Sequence, residues 1–153
     1  MIQKHILQTG TFHITTNAKG KVPWCTIPGI PELIIDNLRM TKNLHNLVII
    51  DFSLLPDHLH LILETDSVGI STIMHSFKRN STRDTKTFLE GKILEDGMTC
   101  TGWQHGFHDE IICDEDQLRA AQSYVRWNAV KHGLVEIPED WPWYSFHFED
   151  LIG

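Results

Sequence analysis

Two histidines separated by one residue, followed some sixty residues later by a tyrosine and an asparagine four apart, are the residues best suited to chemistry in this chain. His58-Leu59-His60 lies within the run Leu54-Leu55-Pro56-Asp57-His58-Leu59-His60-Leu61-Ile62-Leu63-Glu64. From Leu59 the run alternates, with Leu59, Leu61 and Leu63 on one side and His58, His60, Ile62 and Glu64 on the other. Side chains alternate across a strand, so a strand here buries three leucines and holds two imidazoles side by side on its opposite face. Neutral imidazole is a common ligand of divalent transition metals, and the pair amounts to half a metal site. Taken alone, such a pair is also what an edge strand with two half-exposed histidines carries.

Tyr124 and Asn128 fall in Tyr124-Val125-Arg126-Trp127-Asn128. Residues four apart share a helical face. Leu118, Val125 and Ala129 form a separate apolar stripe, which leaves Tyr124 free of the core. A phenol with a pKa near 10 is a feeble nucleophile at neutral pH. It becomes useful when the electrophile is activated and the phenolate is stabilised, as a metal ion can do. Asn128 could add an oxygen ligand beside the two imidazoles and leave positions open for a phosphate. The plain structural alternative is an amphipathic tyrosine with a buried ring and a wet hydroxyl.

The elements that must position these groups can be read along the chain. Thr11 to Thr16, with Phe12, Ile14 and Thr16 alternating, reads as a strand. Pro31 suits the start of a helix, and Leu33, Ile34, Leu38 and Leu44 recur at helical intervals. Leu47 to Leu54 is a second strand, and Pro56-Asp57 turns it into the His58–Glu64 strand. A helix spans about Ile70 to Phe88, with Ile73, Met74 and Phe77 on its buried side. Gly91, Gly97 and Gly102 punctuate a loop, and Trp103 to Cys113 holds a further strand. Asp114 caps a helix with Gln117 three residues on; that helix runs to about His132, where Gly133 suits the C-terminus. Leu134 to Gly153, rich in proline and aromatics, is expected to wrap over the core as irregular structure, with Trp141, Trp143, Phe146 and Phe148 as a clasp. The order β-α-β-β-α-β-α points to an α+β layer fold, an antiparallel sheet covered by helices.

A chain of 153 residues, 41% hydrophobic and 22% charged, is expected to form one soluble domain over 1–153. No apolar run reaches the length of a membrane span, and Met1 to Leu7 lack the apolar stretch of a signal peptide. Cys25, Cys100 and Cys113 are odd in number and widely spaced, which suggests neither a disulfide framework nor a cysteine zinc site. Cytoplasmic residence with reduced thiols is the expectation. The net charge of -7 counts against a strong non-specific nucleic-acid binder. The charge is uneven, however: Lys78, Arg79, Arg83 and Lys86 form a basic island suited to backbone phosphates or to a solvated helix face.

Pro56-Asp57-His58-Leu59-His60-Leu61 resembles the HUH motif (His, hydrophobic, His) of single-tyrosine DNA endonucleases. Trp103-Gln104-His105-Gly106-Phe107-His108-Asp109, the stretch from Tyr124 to Val135, and Pro138-Glu139-Asp140-Trp141-Pro142-Trp143-Tyr144-Ser145 follow in order. Together they resemble the REP-associated tyrosine transposases, relatives of small insertion-sequence transposases that act on single-stranded DNA. The resemblance implies a ferredoxin-like antiparallel sheet flanked by helices, with the HUH strand in its middle. It implies that Tyr124 attacks a phosphodiester of single-stranded DNA carrying a hairpin, leaving a 5'-phosphotyrosine and a free 3'-hydroxyl. His58 and His60 would hold Mg²⁺ or Mn²⁺, with Asn128 as a third contact. Relatives include monomers and homodimers that exchange the tyrosine. Two features depart from the family pattern: Ala129 stands where proline usually follows the asparagine, and the chain is acidic where the family is usually basic.

Further contacts to DNA are expected from Arg126 and Lys131 beside the nucleophile helix and from His108. Trp103, Phe107 and Trp127 could stack on unpaired bases or pack in the core, and His105 is a loop histidine near the site. Two rival readings stand beside this one. A cupin-type metalloenzyme would use His58, His60 and Glu64 but would be all-β, against the helical stretches. A domesticated DNA-binding module without catalysis would not need His58, His60 and Tyr124 together.

Overall fold

The computed structural model describes residues 7–94 and 97–153, so the reading of Met1 to Ile6 and the middle of the glycine-punctuated loop lie outside the described residues. Four strands and three long helices alternate: β1 (Gly10–Asn17), α1 (Ile30–His45), β2 (Val48–Leu55), β3 (His58–Thr65), α2 (Ile70–Leu89), β4 (His108–Ile112) and α3 (Glu115–Lys131). The sheet is antiparallel with order β2-β3-β1-β4, so the two central strands are those carrying His58, His60 and the Phe12–Thr16 alternation. This is the expected ferredoxin-like α+β arrangement.

The period-two pattern decides which layer each side chain enters. Leu59, Leu61 and Leu63 of β3, Phe12 and Ile14 of β1, and Phe52 and Leu54 of β2 are buried in one cluster with Ile30, Ile34 and Leu38 of α1 and Ile73, Met74 and Phe77 of α2. Burying each leucine stabilises the fold by about 1.5–3 kcal/mol, and a one-residue slip of β3 would forfeit all three. The register pairs Thr15 with His60 and Asn17 with His58. The other face of the sheet is covered by α3, whose buried residues Val125, Asn128 and Ala129 all lie in its C-terminal half. The N-terminal half of α3 overhangs the sheet, and a cleft of about 750 Å³ opens beneath it.

Local signals account for the helix ends. Asp114 accepts from the Gln117 backbone N–H at 2.8 Å, and the Gln117 carboxamide reaches back to the Cys113 N–H at 2.6 Å, the reciprocal capping expected from the sequence. Gly133, with φ +73°, supplies the left-handed turn after α3. Two burial expectations need correction, and one strand end moves by a residue. The strand expected within Trp103 to Cys113, ending at Ile111-Ile112-Cys113, is His108–Ile112 and stops one residue earlier. Leu44, expected on the buried stripe of α1, is 71% exposed; the burial passes instead through Ile30, Ile34, Ile35, Leu38 and Thr41. Phe146 of the expected clasp is 57% exposed, whereas Trp143 and Phe148 do pack on the core. The C-terminal segment runs along β2 as short 3-10 turns. The Leu54 N–H donates to Trp143 O at 2.9 Å, Trp141 Nε1 donates to Leu54 O at 2.9 Å, and the Gly153 N–H donates to Ile49 O at 3.0 Å. Among the described residues no helix is long and apolar enough to cross a membrane.

Candidate functional site

β3 presents His58 and His60 toward α3, and α3 presents Tyr124 and Asn128 toward β3. His58 and His60 meet edge to face with ring centroids 4.9 Å apart, and Tyr124 stands edge-on to His60 at 5.2 Å. Four residues expected to act together from sequence spacing thus form one cluster. Tyr124 is 44% exposed and borders the cleft, whereas Asn128 and His60 are almost fully buried. An accessible phenol on the rim above a buried imidazole and a buried amide is an arrangement that admits a chain-like substrate.

Hydrogen bonds fix the orientation of each imidazole. Nδ1 of His58 lies 2.6 Å from Asp57 Oδ1. A carboxylate can only accept, so Nδ1 carries a proton in this contact, and in the neutral ring Nε2 is the atom with a free lone pair. That Nε2 is 3.2 Å from Asn128 Oδ1, while Asn128 Nδ2 is buried without a partner. With a neutral ring two acceptors face one another in this placement; with the amide reversed, Nδ2 donates to Nε2 and Oδ1 becomes the unpaired atom instead. Burying an unsatisfied amide group is costly. A cation held jointly by Nε2 and Oδ1 would put both facing lone pairs to use, with Nδ2 still the unpartnered atom. The residues therefore fit a small divalent ion. Among the described residues no three of His, Cys, Asp and Glu form a metal-binding group; the available set is two imidazoles and one amide oxygen.

His60 is anchored from the other side. Its Nδ1 lies 3.1 Å from His13 Nε2 and 3.1 Å from Thr15 Oγ1. Burial first, and then the neighbouring His58, His13, His132 and Lys131, push the His60 pKa down to about 3, so the ring is neutral and able to ligate at physiological pH. Its own burial likewise lowers His13, partly opposed by Glu110. His13 was not among the residues singled out from sequence. The alternation of β1 was informative about Phe12 and Ile14, but the outward positions His13 and Thr15 acquire meaning only when β1 pairs with β3. His132, whose ring centroid is 5.2 Å from that of His58, and Asp57 are two more members of the cluster.

The remaining candidates divide. Lys131 places its ammonium 5.1 Å above the Tyr124 ring, and His108 lines the same cleft with Glu110. Arg126 does not face the cleft: it pairs with Glu139 at 2.5 Å on the β2 side of α3, as expected of a residue two positions from Tyr124, about 200° around the helix. Trp103 is corrected from a stacking platform to a core residue. It is 8% exposed, lies edge-on to Trp24 at 5.0 Å, and donates from Nε1 to Ser81 Oγ at 2.9 Å. Lys78 is corrected from a free phosphate contact to a structural cation, because its Nζ donates to Gln104 O at 2.7 Å and Gly106 O at 2.6 Å. Arg79, Arg83 and Lys86 are exposed on α2, across the sheet from the histidines; Arg83 leans on Asp84 at 3.3 Å. Phe107 packs against the core, while Trp127 is 46% exposed.

Comparison with known proteins agrees with this architecture. The sequence profile described as "Transposase IS200 like" matches residues 7–128. A candidate REP-associated tyrosine transposase of Haemophilus influenzae is 34% identical over 102 residues, covering 61% of this chain and 56% of that protein. The chain thus spans just over half the length of that curated relative. Among solved structures, a REP-associated tyrosine transposase bound to a REP hairpin superposes with a TM-score of 0.78 at 22% identity, over 96% of this chain and 82% of that one. A candidate transposase from Deinococcus radiodurans superposes with a TM-score of 0.56 at 14% identity, over 80% of this chain and 94% of that one. The fold is shared with both structures, and the profile match, which takes in the paired histidines, Tyr124 and Asn128, makes this chain a member of the IS200-like transposase family.

Proposed function

We propose that this chain, acting as one domain, is a metal-dependent endonuclease and transposase that cleaves and rejoins single-stranded DNA through a 5'-phosphotyrosine on Tyr124, at sites flanked by hairpins. The observation that carries this reading is the placement of the Tyr124 ring against His60, on the same helix that supplies Asn128 to His58. The solved relative bound to a REP hairpin supports the choice of substrate.

The chemistry follows from the residues present. The Tyr124 oxygen forms a bond to phosphorus, its proton passes to solvent, and the bond from phosphorus to the 3' oxygen breaks. The departing oxygen takes up a proton and becomes a free 3'-hydroxyl. The Lys131 ammonium over the phenol ring favours the developing phenolate. His58, His60 and Asn128 would hold Mg²⁺ or Mn²⁺, which when bound supplies Lewis-acid polarisation of a phosphoryl oxygen. Asp57, Thr15 and His13 keep the imidazoles turned for that task. Because the phosphotyrosine conserves the ester bond, a 3'-hydroxyl can reverse the reaction and join strands without ATP. Tyr124 lies over imidazoles of its own chain, which supports cleavage by a single subunit.

The test incubates the protein with labelled hairpin-bearing single strands and Mn²⁺. A denaturant-resistant adduct is expected with wild type and absent with Tyr124→Phe. Failure of wild type to form an adduct with any hairpin from its own genomic repeats would overturn the proposal. Binding that persists in Tyr124→Phe and in His58→Ala/His60→Ala, without wild-type cleavage, would instead favour a binding module.

A further inference from the structure

The cleft beside Tyr124 has two unlike ends. At one end Tyr124 stands over His60, and the Lys131 ammonium lies 5.1 Å from the centre of the phenol ring. At the other end is Glu110 of β4, a strand that lies two places from β3 in the sheet. The register sets Glu110 directly across from His13, and therefore on the same face of the sheet as the histidines. Among the described residues that line the cleft, Glu110 is the only carboxylate, and there is no lysine or arginine. Its side chain is 71% exposed and lies 3.8 Å from His108 Nε2, too far for a hydrogen bond. Both carboxylate oxygens are thus within reach of a ligand. Ala120 and Ala121 of α3 roof this end of the cleft above Ile112, and side chains so short leave open the space that larger ones would fill.

We infer that Glu110 selects guanine in the nucleotide bordering the scissile phosphate, by accepting from N1–H and N2–H of its pairing edge. The inference rests on reading single-stranded DNA as the substrate. Charge decides which part of the nucleotide goes where. A phosphate beside Glu110 is repelled, whereas one beside Lys131 is attracted. The strand therefore lies with its backbone toward Tyr124 and a base toward β4. A base in a single strand has its pairing edge free to be read, and its ring faces can pack between apolar side chains, here Ile112 and the two alanines. The cleft, at about 750 Å³, has the size of a small-molecule site. A carboxylate only accepts, and guanine alone among the four bases sets two N–H donors side by side on that edge. Cytosine and adenine carry a ring-nitrogen lone pair beside the amino group, and thymine flanks its N–H with two carbonyls. Each of these three turns a lone pair toward the second carboxylate oxygen. His108, beside Glu110 on the same face of β4, supplies an imidazole N–H suited to guanine O6.

The test measures fluorescence anisotropy with labelled dT strands of equal length that carry one central guanine, adenine, cytosine or hypoxanthine. Hypoxanthine is guanine without the N2 amino group, so it removes one of the two hydrogen bonds and nothing else. The measurements are made with Mn²⁺ in Tyr124→Phe chains, with and without Glu110→Gln, so that binding is read without covalent capture. The guanine strand is expected to bind at least about fivefold more tightly than the other three. Glu110→Gln replaces one acceptor by a donor, which matches the N6–H and N1 of adenine; the guanine preference is expected to vanish and adenine to gain. Glu110 is exposed, so the two chains should melt at the same temperature. Equal affinity for all four strands, or no binding of the guanine strand, would overturn the inference. A guanine preference that survives Glu110→Gln would overturn it as well. Wild type that forms the tyrosine adduct on hairpin strands, with no guanine preference, overturns this inference alone. A guanine preference that depends on Glu110, with no adduct from wild type, overturns the nuclease reading alone.

Discussion

Acid should unfold this protein through His60 before it exhausts the carboxylates. The ring is 4% exposed, and its pKa in the folded chain is about 3 against about 6.5 when unfolded. Below pH 6.5 the unfolded chain takes up a proton that the folded chain refuses, so stability is lost as pH falls and the loss levels off only near pH 3. At pH 4.5 the unfolded state has gained about two pH units of protonation free energy, or about 3 kcal/mol. That is a large share of the 5–15 kcal/mol typical of a domain. The assay is urea denaturation with EDTA at pH 7.5 and 4.5, for wild type and His60→Gln. Carboxylates away from the site titrate in both chains and largely cancel in the difference. Wild type should lose about 3 kcal/mol more than His60→Gln over that range. Parallel losses in the two chains would refute the argument that His60 is held neutral by burial.

Three further outcomes test other parts of the structure. His13→Phe removes the 3.1 Å contact to His60 Nδ1 and should weaken Mn²⁺ binding by about 10–100-fold in calorimetric titration, as loss of an orienting partner does. Gly29→Ala should destabilise the fold by at least about 1–2 kcal/mol in urea titration, because φ is +92° and the new Cβ would lie 2.6 Å from Phe88 Cζ. Trp103→Ala should cost about 3–5 kcal/mol in denaturation while leaving oligo-dT affinity unchanged at a temperature where the variant is folded, since the ring lies in the core.

Much of this architecture was legible because local chemistry repeats the global answer. The leucines of β3 and the Asp114–Gln117 cap specify their elements from within a few residues. Asn128 and Lys131 lie four and seven positions after Tyr124 on α3, so helical geometry alone brings the three to one face. The same arithmetic turns Arg126 away, and it was available in the sequence. What was not available depends on pairing between distant segments. His13 becomes a partner of His60 only through the β1–β3 register. Trp103 and Lys78 belong to contacts that close across the sheet's helical layer, between α2 and a loop with no periodicity of its own. Leu44 follows the helical repeat yet lies near the end of α1, beyond the reach of the core.

The strap along β2 has a consequence for how this protein fails. β2 is an outer strand of the sheet, and an uncovered outer strand is a template for pairing with another chain. The Trp143, Tyr144 and Ile152 contacts occupy that row of backbone groups. The opposite outer strand, β4, is only five residues long and carries Asp109 and Glu110, which discourages such pairing by charge and brevity. None of the last dozen residues lines the cleft beside His60 and Tyr124. Damage to the last dozen residues therefore loosens the core, where Leu151 is buried and Trp143 and Phe148 pack, and at the same stroke bares the edge of β2 to other chains, although the histidines and the tyrosine lie outside the segment.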